Sequence, residues 1–552
     1  MNKKTSEQGI PFRFRKGASI GEPDAESDDR FLSHCFVDTG DYGTLVDCSN
    51  PHRIIVGRTG AGKSALIQHL IQNEDNVIEI SPNNLSLNYI SNSDIITTLE
   101  KAGVKLDLFY TLLWKHVLAT ELLKRKYNLA NEEKTKSWFS NFLPPLKKKD
   151  QGKERALEYL KDWGDKFWQE TEYRVKEVTQ KLESDIGAQL GGDIAGLRAQ
   201  ASTGQKISEE QRAEIVHRAQ KVVNSIQIKA LSDVMTLLAE EVFNDSQQKY
   251  YVVIDKLDEN WVENDLRYRL IRALIETVKD YRKISSVKIV VALRLDLLQS
   301  VFERTRDAGF QEEKYQSLLL HLNWNPPQLE KLLDERIALL VREQYTNTPI
   351  KLRTLFPSTI GRETFIDYLL NRTLWRPRDA IAFVNECIRR AEDKGQVSAQ
   401  TVRDAEREYS AQRIDSLAYE WFIQYPKLKD YIALLERMPI EFKLSALTKE
   451  KIEAFALAHA MDGENDHDPI IRAAYAFIND GSPNPHSFVI TLVKVLFKVG
   501  VLGIKPDSFT GQLWVQTSER IPSDGQIKPN STAYIHPMIW SSLGVIVTSS
   551  PR

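Results

Sequence analysis

The stretch GRTGAGKS, Gly57–Ser64, decides the fold of this chain. It fits the pattern GxxxxGK[ST], it follows the short apolar run RIIV, and the helix-like stretch ALIQHLI comes directly after it. A strand, a glycine-rich turn and a helix in this order form a phosphate-binding loop, in which backbone N–H groups and the helix N-terminus surround phosphate oxygens. A glycine turn that binds no ligand would not need a strand directly before it and a helix directly after it. The predicted nucleotide-binding residues are Gly57, Arg58, Thr59, Gly60, Ala61, Gly62, Lys63, Ser64 and Ala65.

A second stretch, IDKLDENW (Ile254–Trp261), supplies the carboxylates that such a site needs. It follows the apolar run YYVV, so Asp255 is predicted to stand at the end of a buried strand. If ATP binds at the loop, Lys63 is expected to neutralise its phosphates, while Ser64 and Asp255 hold Mg²⁺. The alternative interpretation is an acidic exit from a strand into a loop.

Lys256 stands where many sites of this kind have a second acid, which leaves the identity of the catalytic base open. Strand geometry ends near Asp255, so the lysine need not face the phosphates. Asp258 and Glu259 lie one loop turn further on, and either can orient or deprotonate water. Glu259 is slightly favoured because its side chain reaches further. Hydrolysis is expected, and slow turnover would be compatible with this arrangement.

Three arginines are candidates for contacts with bound phosphate. Arg294 follows the apolar stretch VKIVVAL, at the tip of the strand predicted beside the carboxylate strand; a salt bridge to Asp296 would explain it equally well. Arg376 and Arg378 stand at a predicted helix start, where arginines can swing onto phosphate from a lid domain. Helix capping that involves Asp379 is the alternative there.

Composition is that of an ordinary globular chain: 552 residues, 42% apolar, 27% charged, and a formal net charge of -2. Global charge therefore gives no attraction to nucleic acid or to acidic membranes, and any such contact must be local. Cys35, Cys48 and Cys387 lack metal-ligand spacing and suit a reducing compartment. The N-terminal stretch lacks the apolar region of a secretory signal. We therefore expect a cytoplasmic protein without membrane contact.

Strands that alternate with helices predict an α/β fold, with a mostly parallel P-loop NTPase sheet and helices on both of its faces. Lys63 and Asp255 lie much further apart in sequence than two neighbouring strands require, so the helical segment between them is predicted to be an insertion. Its role, a sensing device or a solvated spacer, stays open. The predicted parts are 1–127 (N-terminal part of the ATPase core), 128–248 (helical, coiled-coil-like insertion), 249–323 (C-terminal part of the core), 324–421 (helical lid) and 422–552 (winged-helix-like domain).

Six blocks, in their order, resemble those of AAA+-related P-loop ATPases of the STAND and origin-recognition-like kind: GEPDAESDDRFL, GRTGAGKSAL, IDKLDENW, ALRLDLL, LNWNPPQLEKLLDERI and WRPRDAI. More narrowly, the chain resembles bacterial ATPases of mobile-element and phage-defence loci. The resemblance implies magnesium binding by Asp255, a sensor role for Arg294, and a lid sensor at Arg376 or Arg378. It also implies an arginine finger from a neighbouring subunit, for which the candidates are Arg304, Arg306 and Arg336.

The C-terminal part resembles a winged-helix domain. The stretch SFVITLVKVLFKVGVLGI would supply a helix and a strand, QLWVQT a wing strand, and TAYIHPMIW a closing strand and helix. Such domains often place a helix in the major groove of DNA. This helix is largely apolar and its neighbourhood is acidic, so use of the domain for protein contact is at least as well supported.

Three functions follow from these patterns. The first is an ATP-hydrolysing molecular switch, a homo-oligomer that acts in bacterial defence or in exclusion of phage and foreign DNA. The second is a DNA-binding initiator or loader, and the third is a nucleotide-locked scaffold without useful turnover. The sequence contains no nuclease, protease or deaminase constellation. Any toxic activity is therefore assigned to a partner effector protein, while contact with DNA stays open.

Overall fold

A computed structural model of the chain describes residues 12–82, 106–128, 234–259, 261–306, 311–344, 350–460, 468–479, 484–518 and 521–547, with a few positions between 154 and 217. Most of the predicted insertion, 128–248, therefore lies outside the described residues. None of the described helices is both long and apolar enough to span a bilayer.

The chain divides into two compact units. The sheet unit comprises Asp38–Arg58 and Lys63–Asn323, and the helical unit comprises Met1–Val37, Thr59–Gly62 and Trp324–Arg552. The tip of the glycine-rich loop thus groups with the helical unit, whereas the residues on both sides of it group with the sheet unit. The five-part division drawn from the sequence stays a prediction.

Helices and strands alternate in the first half of the chain, and helices dominate the second. The first half contains α1 (Asp29–His34), α2 (Asp41–Val46), β1 (Ile54–Gly57), α3 (Lys63–Asn73), β2 (Val77–Ile80), α4 (Asp107–Lys126), β3 (Tyr250–Ile254), α5 (Asn264–Tyr281), β4 (Val287–Arg294), α6 (Leu295–Arg304), α7 (Glu313–Gln316) and β5 (Leu319–His321). The second contains α8 (Pro326–Gln344), α9 (Leu352–Leu355), β6 (Thr359–Ile360), β7 (Glu363–Thr364), α10 (Phe365–Asn371), α11 (Pro377–Arg390), α12 (Ala399–Glu420), α13 (Leu428–Ala433), β8 (Glu441–Lys443), α14 (Lys449–Ala460), α15 (Pro469–Asn479), α16 (Pro485–Val499), β9 (Leu502–Lys505), β10 (Thr532–Ile535) and α17 (Trp540–Leu543).

The sheet unit is built on five parallel strands in the order β2-β3-β4-β1-β5. Strands β1 and β3 are buried along their whole length, and β4 is buried up to its last residue. Continuous burial of this kind is typical of a parallel sheet whose two faces are both covered by helices. The predicted α/β fold with a P-loop NTPase core is confirmed.

A buried lysine holds an irregular segment against this sheet. Lys288 lies on β4 with no exposed surface, and its Nζ donates to the carbonyl oxygens of Thr44 (3.1 Å), Asp47 (2.7 Å) and Asn50 (3.0 Å). An ammonium group has three N–H donors, so all of them are used. The segment from α2 to the start of β1 is thereby fixed beside the strand that precedes the phosphate loop.

We expect Lys288→Met to lower the free energy of unfolding of the sheet unit by about 3 kcal/mol, because three carbonyl groups would lose the donor that the buried Lys288 supplies. The measurement is a denaturant unfolding curve. Lys249→Met is the matched control, because exposed Lys249 also donates to a carbonyl oxygen, that of Val46, at 3.4 Å. Equal effects of the two substitutions would contradict the role given to Lys288.

In the helical unit, the N-terminal segment is held by a buried ion pair. Arg336 of α8 contacts Asp28 at 2.6 Å and donates to the carbonyl oxygen of Ile20 at 2.9 Å. Both charged side chains are almost fully buried. At Gly21, whose φ is +101°, a Cβ would lie 2.2 Å from Oδ1 of Asp28. This arrangement contradicts the arginine-finger candidate Arg336, because its guanidinium has no exposed face to offer a neighbouring subunit.

Strands β8, β10 and β9 form a three-stranded antiparallel sheet in that order, and helices α14 to α16 lie between β8 and β9 in the chain. The strand predicted at QLWVQT is wrong, because Leu513 makes only an isolated bridge to Ile504. The indole ring of Trp514 instead covers Gly503, where a Cβ would lie 2.6 Å from it. A bulky ring packed flat on the backbone of β9 takes the place of further strand pairing.

Candidate nucleotide-binding site

The strand register brings the candidate residues of the sheet unit to one edge. Gly57, the last residue of β1, pairs with Arg294, the last residue of β4. On the other side of β4, Ile254 at the end of β3 pairs with Val291, so Asp255 follows at the same edge. Ligands bind at the carboxyl ends of parallel strands in α/β folds of this kind.

The glycine-rich loop has the backbone shape that an anion requires. Gly60 and Gly62 have φ values of +78° and +97°, in the left-handed region where glycine is favoured. Successive N–H groups in such a turn form a concave nest for anions, and α3 begins directly after it at Lys63, with the positive end of its dipole. The Nζ of Lys63 donates to the carbonyl oxygens of Gly57 and Arg58, both at 3.1 Å.

Ser64 and Asp255, the predicted magnesium residues, are in contact. The Ser64 hydroxyl donates to Oδ2 of Asp255 at 3.0 Å, and Oδ1 of Asp255 accepts the N–H of Lys256 at 2.8 Å. Burial raises the pKa of Asp255, and these two hydrogen bonds oppose the shift. Two oxygen ligands beside a phosphate loop suit Mg²⁺, which usually takes its remaining ligands from phosphate and water. The described residues contain no preformed cluster of three or more His, Cys, Asp or Glu around a metal position.

Lys256 has an unusual backbone conformation. Its φ is +62°, in the left-handed region, and its side chain is exposed. Its carbonyl oxygen accepts the N–H of Glu259 at 3.2 Å, and the next residue, Leu257, is buried. A left-handed residue other than glycine costs about 1–2 kcal/mol. Lys256 therefore forms a strained turn directly after Asp255, and its side chain is exposed.

Arg294 contacts two carboxylates at the strand edge. Its Nε and Nη2 donate to the two oxygens of Asp296 at 3.0 and 2.8 Å, and its Nη1 lies 3.5 Å from Oδ2 of Asp258. The salt bridge to Asp296 that was weighed as an alternative is therefore present. The side chain of Glu259 is exposed, and its carbonyl oxygen accepts Nη1 of Arg267 at 3.0 Å. Asp258 thus contacts Arg294.

Arg376 lies inside the helical unit, in a network of charges. Its Nε contacts Asp379 at 3.0 Å, and its Nη1 contacts Glu420 at 3.0 Å and donates to the carbonyl oxygen of Thr59 at 2.9 Å. Burial alone would lower the pKa of Arg376, but the two carboxylates hold it above its ordinary value. Within the described residues, Nη2 of Arg376 has no hydrogen-bond partner. Arg376 thus touches the phosphate loop, and its role as a phosphate sensor stays a prediction.

Arg378 and Trp324 also contact the loop within the helical unit. The backbone N–H of Arg378 lies 3.4 Å from the carbonyl oxygen of Gly60, while its side chain contacts Pro23 and Asp24. The indole N–H of Trp324 donates to the carbonyl oxygen of Ala61 at 2.8 Å. Sequence reasoning missed Trp324 as a loop contact, although it lies in the block LNWNPPQLEKLLDERI.

Comparisons with known proteins give distant similarities. Residues 327–418 match a family described as the FunZ-associated C-terminal helical domain. The 80.3 kDa protein assigned to transposon gamma-delta of Escherichia coli (strain K12) is 22% identical over 545 residues, 96% of this chain and 67% of that protein.

Three solved structures with a weak likeness to this chain come from archaea. They are a Walker-type ATPase of Pyrococcus abyssi (11% identity, 95% of this chain and 98% of that chain, TM-score 0.32), the ORC2 protein of Aeropyrum pernix (11%, 91% and 92%, 0.34) and Cdc6p of Pyrobaculum aerophilum (10%, 94% and 99%, 0.27). These likenesses are weak, and the fold assignment rests on the observed sheet and loop.

We expect Lys256→Gly and Lys256→Asn to leave magnesium-dependent ATP affinity within about twofold of wild type, because both residues tolerate a left-handed backbone. Lys256→Val should weaken it about tenfold, because a β-branched residue disfavours the left-handed turn that directly follows Asp255 and leads to Asp258. The measurement is ATP titration with and without Mg²⁺. A large loss in Lys256→Gly would instead show that the lysine side chain takes part in binding.

Proposed function

We propose that this chain is an ATP-binding and ATP-hydrolysing molecular switch. The observation that carries the proposal is the 3.0 Å contact between the Ser64 hydroxyl and Asp255, directly after a glycine-rich loop with left-handed Gly60 and Gly62. A phosphate nest, a lysine at the helix start and paired oxygen ligands are the parts that a P-loop nucleotide site combines. These features support a nucleotide as the ligand class, and we propose ATP with Mg²⁺.

Each side chain of the site has a role in this proposal. Lys63, whose Nζ donates to the carbonyl oxygens of Gly57 and Arg58, would exchange these acceptors for phosphate oxygens. Ser64 would bind Mg²⁺ directly, and Asp255 would bind it through a water molecule. When bound, Mg²⁺ would neutralise part of the negative charge of the phosphates. Asp255 keeps its orientation because the N–H of Lys256 holds its other oxygen.

The attacking water needs a carboxylate, and two are candidates. The Asp258 carboxylate lies 3.5 Å from Nη1 of Arg294. Its negative charge also favours the charged form of Lys63 and so acts to raise the pKa of that lysine. We therefore favour Asp258 as the group that orients water, with Glu259 as the alternative chosen from side-chain length. Neither acid directly follows Asp255, because Lys256 occupies that position. Slow hydrolysis, suited to a switch, follows from a base held at the end of a turn.

We also propose that the switch belongs to mobile DNA or to its exclusion. Support comes from the sequence resemblance to ATPases of mobile-element and phage-defence loci and from similarity to a transposon-assigned protein over 96% of the chain. In this setting the protein would act in the cytoplasm as a homo-oligomer, with a partner effector that carries the damaging activity. Loss of protection in cells that produce Lys63→Ala would test this role.

The C-terminal domain is proposed to be winged-helix-like and to contact protein rather than DNA. Helices α14 to α16 lie between the first and second strands of a sheet in the order β8-β10-β9, which supports the first part. The two lysines of α16 are used internally, since Lys494 pairs with Asp524 and Lys498 lies 5.5 Å from the Trp421 ring centroid. Base reading in the major groove needs polar side chains that project from the helix. This use of both lysines disfavours the initiator or loader function.

The decisive experiment is steady-state ATP hydrolysis by wild type and by Lys63→Ala, Asp255→Ala, Asp258→Asn and Glu259→Gln, with and without duplex DNA. We expect Lys63→Ala and Asp255→Ala to lose at least about 100-fold in turnover. Asp258→Asn should lose turnover while it keeps ATP binding, whereas Glu259→Gln should stay within about threefold of wild type.

The outcomes separate the three functions. Turnover that DNA does not change supports the switch, and strong stimulation by DNA would favour the initiator or loader. Tight ATP binding without turnover in wild type would leave the nucleotide-locked scaffold. Loss of turnover in Glu259→Gln alone would move the water-orienting role from Asp258 to Glu259.

A further inference from the structure

We propose that Trp324 and Arg376 are positioning residues that set the shape of the phosphate loop through its backbone carbonyl groups. The inference rests on the proposed nucleotide site and extends it, because it gives both residues a role that requires no contact with the nucleotide. All the contacts that carry it lie within the helical unit, which includes Thr59–Gly62.

Three successive carbonyl groups of the loop accept hydrogen bonds from this unit. The carbonyl oxygen of Thr59 accepts Nη1 of Arg376 at 2.9 Å, and that of Ala61 accepts the indole N–H of Trp324 at 2.8 Å. Between them, the carbonyl oxygen of Gly60 lies 3.4 Å from the backbone N–H of Arg378. The side-chain bonds at the two ends are short, and the central backbone contact is long.

Planarity of the peptide group gives these bonds a consequence for the opposite side of the loop. In a trans peptide the carbonyl of one residue and the N–H of the next point in opposite directions. The bonds described above fix the carbonyl groups of residues 59, 60 and 61. The N–H groups of residues 60, 61 and 62 therefore point away from the side chains and backbone that donate these bonds. Those N–H groups are the ones that a phosphate nest presents to its anion. The nest is thus shaped before the ligand arrives.

Two features show that the backbone of the phosphate loop lies close to the segment that contains Arg376 and Arg378. A Cβ at Gly60 would lie 2.6 Å from Cβ of Arg378, so a side chain at this loop position would push the two backbones apart. Trp375, the residue before Arg376, has a φ of +52°, which is rare for a bulky residue. Backbone strain of this kind persists where the surrounding structure holds it, often at functional sites.

Arg376 is held rigidly enough to act as a fixed donor. Only 3% of the residue is exposed, and Asp379, to which its Nε is bonded, has no exposed surface. Asp379 also contacts Arg413 at 3.1 Å, and Glu420 receives Nη1 of Arg376. A guanidinium that is fixed on several sides loses little further freedom when it also binds the Thr59 carbonyl.

The two roles for Arg376 predict different nucleotide preferences. Loop N–H groups bind phosphates that ATP and ADP share, so loss of a positioning residue should weaken both nucleotides by the same factor. A sensor of the γ-phosphate should affect ATP alone. We expect Trp324→Phe, which keeps the ring but removes the donor, and Arg376→Lys, which keeps the charge, each to weaken ADP and a non-hydrolysable ATP analogue about fivefold.

Trp540→Phe is the matched control. Trp540 is a half-buried tryptophan of the same unit, and its indole N–H donates to the carbonyl oxygen of Ile535 at 2.7 Å, away from the loop. Removal of this bond should change thermal stability as much as Trp324→Phe does, without any change in nucleotide affinity. The measurement is titration of full-length protein with each nucleotide, beside thermal unfolding of each variant.

The possible results are distinct. Equal weakening of ADP and the ATP analogue in both loop variants, with the control unchanged, supports the inference. Loss confined to the ATP analogue in Arg376→Lys, or no loss in either loop variant, overturns it and leaves the nucleotide site intact. Absence of nucleotide binding by wild type overturns the proposed function itself, and the inference with it.

Discussion

Parallel pairing of β4 with β1 on one side and with β3 on the other is the constraint on which the site depends. Parallel strands end at a common edge, so residues from distant parts of the chain arrive together without any local signal between them. In this register Gly57 stands opposite Arg294, and Asp255 follows the end of β3 within hydrogen-bond distance of Ser64. A shift of one residue would turn the side chains to the opposite face.

The phosphate loop is held in two different ways. Its side chains Lys63 and Ser64 bond to groups of the sheet unit, namely loop carbonyls and Asp255. The carbonyl groups of its tip bond to donors of the helical unit, notably Trp324 and Arg376.

Buried cations fix irregular segments in several parts of the chain. Lys288 holds three carbonyl groups near α2, Arg336 holds that of Ile20, and Arg53 holds those of Val287 and Cys48. A lysine or arginine side chain supplies several N–H donors at once, so one cation can satisfy two or three backbone carbonyl groups. The three cysteines are free and buried, so these segments are held without disulfides. Burial of such a cation costs free energy, and the hydrogen bonds to its acceptors offset this cost.

Local patterns in the sequence determined the phosphate loop, the strands β1, β3 and β4, and the predominantly helical region after Trp324, because periodicity and glycine spacing act over a few residues. A lone lysine in the apolar stretch VKIVVAL was the available signal for the buried Lys288. The left-handed turn at Lys256, the choice of Asp258 as the partner of Arg294 and the bond from Trp324 to Ala61 were decided only by the tertiary structure. The last of these joins residues 263 positions apart, and contacts at that separation arise from packing, which no local pattern encodes.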